Sequence, residues 1–382
     1  MRQAEDELAS LQEAGLLRHL RSLDTEHPPF LLLDDRRIVN FASNDYLGLA
    51  RDAEMVSAAQ EATARFGAGS GSSRLICGSL TPHHQLEETI ASWKGTEAAL
   101  SFSNGYAAAV GVLTSILRKG DVVIIDKLSH ACLIDGARLS DATLRVFPHN
   151  NLDKLERLLD AAREKLPAEA RILVVTESIF SMDGDRAPLA DVVEIVERHG
   201  ALLLVDEAHA VGILGTGGEG LAADLGVQEG ITFHMGTLGK AVGSAGGYLA
   251  AERCWIDLIL NNARSFIFST APPPAQAACS RRGLEIIKSP RGQKLRDRLW
   301  KNISAFSALR NEEAQSAILP FVIGENEPAL RAARELLQAG FLAPAVRFPS
   351  VPRGSARLRI TLSAAHTEDQ IRALHTQLKD LS

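Results

Sequence analysis

The stretch ALLLVDEAHAVG (residues 201–212) contains an apolar run that ends directly at Asp206, with His209 three positions later. A short and continuously apolar run is typical of a strand buried on both faces of a parallel sheet. In open α/β sheets, ligands bind at the carboxyl ends of the strands, where Asp206 and His209 would lie. The stretch therefore predicts a buried strand and two candidate site residues. A helix-capping Asp and a structural His are the alternative interpretation.

Similar apolar runs occur before this stretch and alternate with amphipathic segments. The clearest predicted strands are AALSF (98–102), VVII (122–125), LRVF (144–147) and ILVV (172–175). Helices are predicted between them, for example over 151–165 and 188–199. Strands that alternate with helices indicate βαβ units, and hence α/β architecture with a mainly parallel sheet.

The two ends of the chain have a different pattern. Residues 4–23 predict a polar amphipathic helix that is followed by short strands. After Pro272–Pro274 the pattern predicts a long helix over 275–310, a helix over 327–339, the strand RLRITL and a last helix from about 367. This succession of helices and strands indicates a smaller α+β domain.

We therefore predict three regions, and the length of 382 residues is compatible with them because a typical domain has ~150 residues. Residues 1–50 form an N-terminal helix and short strands. Residues 51–272 form a large α/β domain that binds the cofactor discussed below. Residues 273–382 form a small C-terminal α+β domain.

Composition and charge exclude several classes of protein. Hydrophobic residues make up 46% and charged residues 23%, as in ordinary globular proteins, which excludes a disordered or fibrous chain. A net charge of −6 and an aromatic content of 5% argue against a nucleic-acid partner. The N-terminus MRQAEDELASLQ lacks the pattern of a secretory signal, and no apolar run approaches a ~20-residue membrane span. We expect a cytoplasmic protein with neither a nucleic-acid nor a membrane partner.

No metal site is expected from the sequence. His83, His84 and Glu87 have the spacing of metal ligands on a helix, but a complete ligand set is not evident, and we interpret them as a solvated helix start. No C-x-x-C pair occurs among the four cysteines, Cys77, Cys132, Cys254 and Cys279.

The segment GITFHMGTLGKAVGSAGGYLAA (230–251) has Lys240 as its only formally charged residue. Lysine prefers solvent, so a lone lysine among glycines and apolar residues needs an explanation. One explanation is a desolvated amine of lowered pKa, which is the nucleophile that a Schiff base requires. The other is an exposed lysine in a glycine-rich turn.

Further polar residues follow the neighbouring predicted strands. Ser181 follows ILVVTESIF, and His130 follows VVIID. The segment SNGYAAAVGVL (103–113) begins a predicted helix, whose free backbone N–H groups could receive a phosphate or be capped in the ordinary way. Pyridoxal 5′-phosphate (PLP) needs an amine for its aldehyde, a carboxylate facing its ring nitrogen and donors for its phosphate. Lys240, Asp206 and this helix start suit such a site.

A dinucleotide site is the alternative from a different enzyme class. GTGGEG (215–220) matches G-x-G-x-x-G, which would fit a nicotinamide-dependent oxidoreductase. The match lies ten residues beyond its strand, and Lys240 stands about 20 residues later, where an acidic residue is required. The oxidoreductase is therefore the distant alternative.

The C-terminal strand RLRITL places Arg357 and Arg359 on one face and apolar residues on the other. Two arginines on one face can bind a carboxylate in bidentate fashion. A strand whose polar face meets solvent is the alternative.

Eight segments of the chain together resemble the α-oxoamine synthases, which are PLP enzymes of the aspartate-aminotransferase fold. They extend from about residue 16 to the C-terminus in the family's order: NFASNDYLGL, SNGYAAA, DKLSHACLIDG, ESIFSMDGD, VDEAHAVGILG, GTLGKAVGSAGG, FSTAPPPA and RLRITLSAAHT. The resemblance implies PLP fold type I, with a mainly parallel sheet in the large domain and a smaller α+β C-terminal domain. It also implies a homodimer with its active site at the subunit interface.

The resemblance implies a role for each matching residue. Lys240 would carry the cofactor as a Schiff base and move the substrate Cα proton, while Asp206 would keep the ring nitrogen protonated. His209 would hydrogen-bond the ring oxygen, and His130 would stack on the ring face and contact substrate. The other implied cofactor contacts are Gly105, Tyr106, Ser181 and Thr237, with Thr270 reaching the phosphate from the neighbouring subunit. The other implied substrate contacts are Arg18, Ser350 and, for the amino-acid carboxylate, Arg359.

Within the family, GLLRHL (15–20), GSGSSRLICGSLTPHHQLE (69–87) and the short length point to one activity. That activity is the condensation of L-alanine with a pimeloyl thioester of coenzyme A or acyl-carrier protein, with release of carbon dioxide and the thiol. Glycine C-acetyltransferase is the nearest alternative. The synthases of 5-aminolevulinate and of sphingoid bases are further off.

Overall fold

The computed structural model describes residues 2–381. The chain forms two compact units, of which unit 1 contains the chain up to Asn44, Met182–Gly184 and the chain from Arg298 onwards. Unit 2 contains Asp45–Ser181 and Asp185–Asp297. Among the described helices, none is both long enough and apolar enough to cross a membrane.

The bounds of the helices and strands are as follows. The helices are α1 (Arg2–Glu13), α2 (Ala53–Phe66), α3 (Thr81–Lys94), α4 (Gly105–Ile116), α5 (Ala131–Leu139), α6 (Leu152–Lys165), α7 (Leu189–Arg198), α8 (Leu221–Leu225), α9 (Arg253–Asn262), α10 (Arg264–Ile267), α11 (Pro274–Lys288), α12 (Pro290–Arg310), α13 (Asn326–Gln338) and α14 (Glu368–Lys379). The strands are β1 (Asp24–Thr25), β2 (Phe30–Leu33), β3 (Arg36–Asn40), β4 (Ala98–Phe102), β5 (Val122–Asp126), β6 (Thr143–Phe147), β7 (Ile172–Glu177), β8 (Leu202–Asp206), β9 (Phe233–Thr237), β10 (Gly247–Ala251), β11 (Ile318–Gly324), β12 (Phe341–Leu342), β13 (Ala345–Val346) and β14 (Ala356–Thr361).

Unit 2 is built on one sheet with the strand order β4-β10-β9-β8-β7-β5-β6. Within the described chain, β10 is the sheet's one antiparallel strand, because it pairs antiparallel with both β4 and β9 while the other pairs are parallel. Every residue of β4, β5 and β7 is buried, as expected for strands covered by helices on both faces. The predicted α/β architecture with a mainly parallel sheet is confirmed.

This arrangement places the carboxyl ends of β4, β5, β7, β8 and β9 at one edge of the sheet. The central strands hold a fixed register, with Glu177 of β7 opposite Asp206 of β8. The core beside them is apolar and includes Val123, Leu173 and Leu204, all completely buried. A tightly packed core of this kind keeps the strand ends in place, because packed side chains leave little freedom to shift.

Unit 1 contains two smaller sheets, with the orders β1-β2-β3-β12 and β11-β14-β13. They are tied together by backbone and side-chain hydrogen bonds from Thr361, at the end of β14, to the carbonyl oxygen of Phe41. Every residue of β14 is buried, including Arg357 and Arg359. The alternative of a solvent-facing strand at RLRITL is therefore wrong.

Three expectations from the sequence differ from the structure. The first helix ends at Glu13 rather than near residue 23, because the chain turns at Gly15, which has φ +64°. The predicted helix over 275–310 is two helices, since Ser289 ends α11 in an extended conformation and Pro290 begins α12. The start of α3 is solvated only in part: His84 is exposed, but His83 and Glu87 are buried, and Glu87 accepts two hydrogen bonds from the Arg74 guanidinium at 2.8 and 3.0 Å.

Candidate active site

A cavity of about 190 Å³ lies in unit 2 at the carboxyl edge of the sheet. Residues that follow or end β4, β5, β7, β8 and β9 line it, because those strands run in the same direction and end together. The lining residues are Gly105, Tyr106, His130, Cys132, Glu177, Asp206, Ala208, His209, Met235, Gly236, Thr237 and Lys240. The structure thus brings together seven of the residues that the sequence predicted for the cofactor: Gly105, Tyr106, His130, Asp206, His209, Thr237 and Lys240.

Lys240 contacts His209 inside this cavity. The Lys240 Nζ lies 2.6 Å from the His209 Nε2, and the opposite ring nitrogen, Nδ1, lies 2.7 Å from the Tyr46 hydroxyl. Lys240 is half-buried, whereas His209 and Tyr46 are buried. His209 therefore holds the Lys240 amine at the cavity wall, and Tyr46 holds His209 in turn.

Two buried carboxylates, Asp206 and Glu177, share the floor of the cavity. Burial raises the pKa of Asp206, while Lys240 and a 2.9 Å hydrogen bond from the Ala208 N–H oppose that rise. Burial and the neighbouring Asp206 carboxylate raise the pKa of Glu177 well above its usual value. Two carboxylates in this position favour a cationic or proton-bearing group beside them.

His130 lies between these carboxylates and the first turn of α5. Its backbone N–H donates to the Glu177 Oε1, and its Nδ1 accepts a 3.3 Å hydrogen bond from the Cys132 N–H. The Cys132 Sγ lies 3.0 Å from the same nitrogen. Desolvation lowers the pKa of His130, which favours the neutral form of its ring.

The first turn of α4 forms another wall. Asn104 caps this helix by accepting a 2.8 Å hydrogen bond from the Ala107 N–H, and Gly105 and Tyr106 follow it. The N–H groups in the first turn of a helix lack acceptors within the helix and favour an anion. Thr237, at the end of β9, lies beside Gly105 and is oriented by a 2.9 Å hydrogen bond from its hydroxyl to the Gly246 carbonyl.

Glu207 follows Asp206 directly but belongs to the core. It pairs with Lys94, and both side chains are almost completely buried. Burial alone would raise its pKa, but Lys94 and His234 outweigh burial and lower the pKa of Glu207 to about 2. The two adjacent acids therefore have separate surroundings, and only Asp206 lines the cavity.

Five predicted site residues lie elsewhere. Ser181 is buried in the turn after β7 and does not line the cavity, and Thr270 is exposed in unit 2, where it forms a bridge with Ser73. The other three belong to unit 1. Arg18 and Ser350 are exposed, and Arg359 is buried on β14.

The two arginines of β14 have different partners. The Arg357 Nη1 donates to the Asp183 Oδ1 at 2.6 Å and to the Met182 carbonyl at 3.3 Å, so its charge is neutralised. The Arg359 Nη1 donates to the Asn44 Oδ1 at 3.2 Å. Asn44 is a neutral amide, so this contact is a hydrogen bond and not an ion pair.

Sequence reasoning assigned no role to Glu177, Cys132 or Tyr46. Glu177 ends the apolar run ILVVTE, and an acidic residue in that position was a usable signal. Tyr46 lies within NFASNDYLGL, but nothing in that segment indicates a contact with a histidine 163 positions away. Cys132 carries no signal of its own, since a buried cysteine is a common core residue.

The glycine-rich segment GTGGEG does not form a dinucleotide loop. The Gly217 N–H donates to the Glu219 carboxylate, and the Gly217 carbonyl accepts from the Trp93 indole at 3.0 Å. The helix that follows, α8, has five residues. In residues 2–381 no cluster of three or more His, Cys, Asp or Glu side chains is arranged to hold a metal ion.

A parallel sheet with a lysine, an aspartate and a histidine at its carboxyl edge is the arrangement of a PLP-type site. The class I and II aminotransferase family matches residues 36–378, and the chain belongs to this family. The protein is therefore an enzyme of the PLP fold type I class, as the resemblance of its sequence implied.

Within this family, the chain is similar to several 8-amino-7-oxononanoate synthases. The chain is 44% identical over 371 residues to the enzyme of that name from Geobacter sulfurreducens, covering 96% of this chain and 94% of the relative. It is also 44% identical to the one from Anaeromyxobacter dehalogenans, over 96% and 92% of the two chains. The resemblance to the α-oxoamine synthases is thus confirmed.

Solved structures agree with this comparison. A serine palmitoyltransferase from S. paucimobilis with a bound PLP–myriocin aldimine has a TM-score of 0.92 and 29% identity, covering 99% of this chain and 96% of that one. An 8-amino-7-oxononanoate synthase from Francisella tularensis has a TM-score of 0.76 and 26% identity, covering 90% and 98% of the two chains.

Proposed function

We propose that the chain is a PLP-dependent C-acyltransferase that condenses L-alanine with pimeloyl-coenzyme A or pimeloyl-acyl-carrier protein. The products are 8-amino-7-oxononanoate, carbon dioxide and the free thiol, and the reaction belongs to biotin biosynthesis. The observation that carries the proposal is the meeting of Lys240, Asp206, His130 and His209 around one cavity. The relatives named 8-amino-7-oxononanoate synthase support the choice of substrates.

The residues of the cavity fit PLP. Asp206 is a buried carboxylate whose pKa burial raises, so a protonated ring nitrogen beside it would relieve an unfavourable burial. The first turn of α4 and Thr237 offer N–H and hydroxyl groups suited to a phosphate. Lys240 supplies the amine, and His130 supplies a flat neutral ring.

When bound, PLP supplies an aldehyde for Schiff-base formation and a protonated ring that withdraws electrons from the bond to be broken. Lys240 would supply the amine that binds the aldehyde carbon and, as a free amine, would take the Cα proton of alanine. The Asp206 carboxylate would favour a proton on the ring nitrogen, and His209 would donate to the ring oxygen. His130 would lie against one face of the ring.

Other residues act on the substrates and the phosphate. Arg359 binds the alanine carboxylate, a role suited to a buried guanidinium, which can form two parallel hydrogen bonds to a carboxylate. Arg18 and Ser350 contact substrate. Gly105, Tyr106 and Ser181 contact the cofactor or its phosphate.

We propose further that two copies form a homodimer whose active sites lie at the subunit interface. Ile76 and Phe268 are exposed to 78% and 70%, although both are large apolar side chains. They lie on neighbouring segments, because Ser73 and Thr270 form an antiparallel β-bridge and the Ala271 N–H donates to the Ser72 carbonyl. A second copy on this surface would bury them and bring Thr270 towards its partner's phosphate site.

Product analysis tests the proposed function. Purified protein would be incubated with PLP and with each pair from alanine, glycine or serine and pimeloyl- or acetyl-coenzyme A. We expect 8-amino-7-oxononanoate from alanine and the pimeloyl thioester as the dominant product by mass spectrometry. A preference for glycine with acetyl-coenzyme A would assign the chain to glycine C-acetyltransferase instead.

Covalent labelling tests the site independently of the substrates. Borohydride reduction of the PLP-loaded protein followed by peptide mass spectrometry is expected to label Lys240. We expect the Lys240→Ala variant to lose the label, because Lys240 is the one lysine among the described residues that line the cavity, whereas the exposed control Lys154→Ala should keep it. A label at another residue would overturn the assignment of Lys240.

A further inference from the structure

We infer that Tyr46 is a positioning residue that acts through His209, setting which ring nitrogen of that histidine carries its proton towards Lys240 and the cofactor. The inference rests on the proposed function, since it assumes that the cavity binds PLP. His209 lies between two polar groups: the Tyr46 hydroxyl is 2.7 Å from the His209 Nδ1, and the Lys240 Nζ is 2.6 Å from the His209 Nε2. His209 is therefore held at both ring nitrogens.

The segment Asp45–Ala50 holds Tyr46 rigidly in this position. The Asp45 carboxylate accepts hydrogen bonds from the N–H groups of Leu49 at 2.8 Å and Ala50 at 3.0 Å, which closes the turn. Tyr46 is completely buried, and its ring lies 6.1 Å from the His209 ring, centroid to centroid. Burial and this ring contact restrict the position of the Tyr46 hydroxyl.

The same segment packs against the loop that carries Lys240. Gly243, three residues after Lys240, has φ +75°, and a Cβ there would come within 2.6 Å of the Ala50 backbone nitrogen. The Gly243 N–H also donates to the Lys240 carbonyl at 2.8 Å. Residues 45–50 therefore fix both partners of the contact between Lys240 and His209.

The chemistry of a hydroxyl explains what Tyr46 adds. A neutral imidazole has one donor and one acceptor nitrogen, whereas a hydroxyl can donate and accept. When a charged Lys240 amine donates to Nε2, the proton of His209 lies on Nδ1 and the Tyr46 oxygen accepts it. When Nε2 must donate into the cavity, the Tyr46 hydroxyl rotates and donates to Nδ1. Tyr46 thus satisfies the buried Nδ1 in both states.

Other titratable groups share the surroundings of this pair. The titratable groups that act on the charge of Lys240 include His130 and Cys132 on the α5 side, Glu177 at the end of β7 and Asp206 at the end of β8. The His209 Nδ1 contacts the Tyr46 hydroxyl. A change confined to Nδ1 therefore isolates the contribution of Tyr46.

The variant Tyr46→Phe tests the inference on the PLP-loaded protein. It removes one oxygen and keeps the ring, so the cavity retains its shape. We expect the ratio of the two visible absorption bands of the bound cofactor, measured at one pH, to change about fivefold. That factor corresponds to the ~1 kcal/mol of one neutral hydrogen bond. We also expect the nitrogen-15 shifts of His209 to move, with the resonance assigned by its loss in His209→Gln.

A matched control separates this role from a general loss of packing. Tyr248→Phe also removes a fully buried hydroxyl in unit 2, one that has no hydrogen-bond partner among residues 2–381. We expect this control to leave the His209 shifts unchanged. If Tyr46→Phe and Tyr248→Phe move them equally, Tyr46 has a structural role only and the inference is wrong.

A double-variant cycle tests the route through His209. If Tyr46 acts through His209, Tyr46→Phe changes the band ratio in the native background but not in the His209→Gln background. Equal changes in both backgrounds would overturn the inference. Failure of the native protein to show any cofactor absorption would instead overturn the proposed function, so the two failures are distinguishable.

Discussion

The charges of Asp206 and Lys240 act on each other across the cavity. Burial raises the pKa of Asp206, and the positive charge of Lys240 opposes that rise. Loss of the carboxylate charge would therefore affect both the amine and any ring nitrogen placed beside Asp206. Glu207, one position later, cannot substitute for it because it pairs with Lys94 in the core.

Replacing Asp206 with Asn tests this electrostatic role. The amide keeps the size of the side chain but cannot hold a proton on the ring nitrogen by charge. We expect Asp206→Asn to bind PLP and to lose ~10²-fold or more in rate, the scale of a preorganised electrostatic contribution. Exchange of the alanine Cα proton in heavy water measures the step directly. The exposed Asp191→Asn is the control, and an unchanged exchange rate in Asp206→Asn would refute the role.

Arg359 and Arg357 offer a matched pair for the substrate carboxylate. Arg359→Lys keeps the charge but loses the planar fork, so we expect the alanine KM to rise about tenfold or more and the thioester KM to change little. Arg357→Lys should change the alanine KM less, since Arg357 is already paired with Asp183. Steady-state kinetics with each substrate varied in turn measure both constants. A larger effect from Arg357→Lys would move the assignment two residues along β14.

Residues that follow strands were predictable from the sequence, whereas their supporting partners were not. Asp206 and His209 stand next to an apolar run, and Lys240 stands alone among uncharged residues, so the local pattern identifies them. Tyr46 and Asn44 are ordinary polar residues near a strand and acquire their roles only through distant contacts, with His209 and Arg359. Spacing along the chain carries no information about such contacts.

His149 connects three loops through its contacts with Asp126 and Asp185. Its Nδ1 lies 3.1 Å from the Asp126 carboxylate at the end of β5, and its Nε2 lies 2.7 Å from the Asp185 carboxylate in the turn after β7. Burial alone would lower its pKa, but the hydrogen bonds that His149 donates to Asp126 and Asp185 outweigh burial and raise the pKa of His149 to about 10. The turn that contains Ser181 is therefore anchored by a charged histidine.

This cluster predicts a dependence of stability on pH. The pKa of His149 is higher in the folded state than the ~6.5 of an unfolded chain, so its contribution is complete below pH ~6.5 and is lost as the pH rises through about 10. We expect His149→Gln to lower the free energy of unfolding at pH 7 by ~1–2 kcal/mol, a value reduced because part of the ring reaches solvent. Urea unfolding at several pH values measures it. The difference from the native protein should shrink towards pH 10, and a constant difference would contradict the assignment.

The elements themselves were predictable to different extents. The predicted strands 98–102, 122–125 and 172–175 agree with β4, β5 and β7 within two residues, because apolar runs buried on both faces have no other stable location. The single helix predicted over 275–310 was wrong because both halves have helical periodicity and only Pro290 marks the start of the second. Proline fits the first turn of a helix but not its interior, so Pro290 was a usable signal for two helices.

The proposed dimer is testable at the scale of the whole molecule. Ile76→Glu and Phe268→Glu place charges on the exposed apolar segments, and a charge buried without a partner is costly at an interface. We expect each variant to shift the sedimentation of the protein from dimer towards monomer. Leu225→Glu, at another exposed apolar residue of unit 2, is the control and should sediment like the native protein. Dimers in all three variants would place the interface elsewhere.

The cavity draws on residues from Gly105 to Lys240, so neighbouring walls come from distant parts of the chain. Contacts of this kind form late in folding, because the loops between them must close first. A nascent chain has no such cavity until β9 and the Lys240 loop have joined the sheet. A ligand that binds only the finished fold stabilises it by mass action, in proportion to the logarithm of its concentration. The supply of vitamin B6 in the cell would thus set not only how much of this enzyme is active but also how long each molecule survives proteolysis.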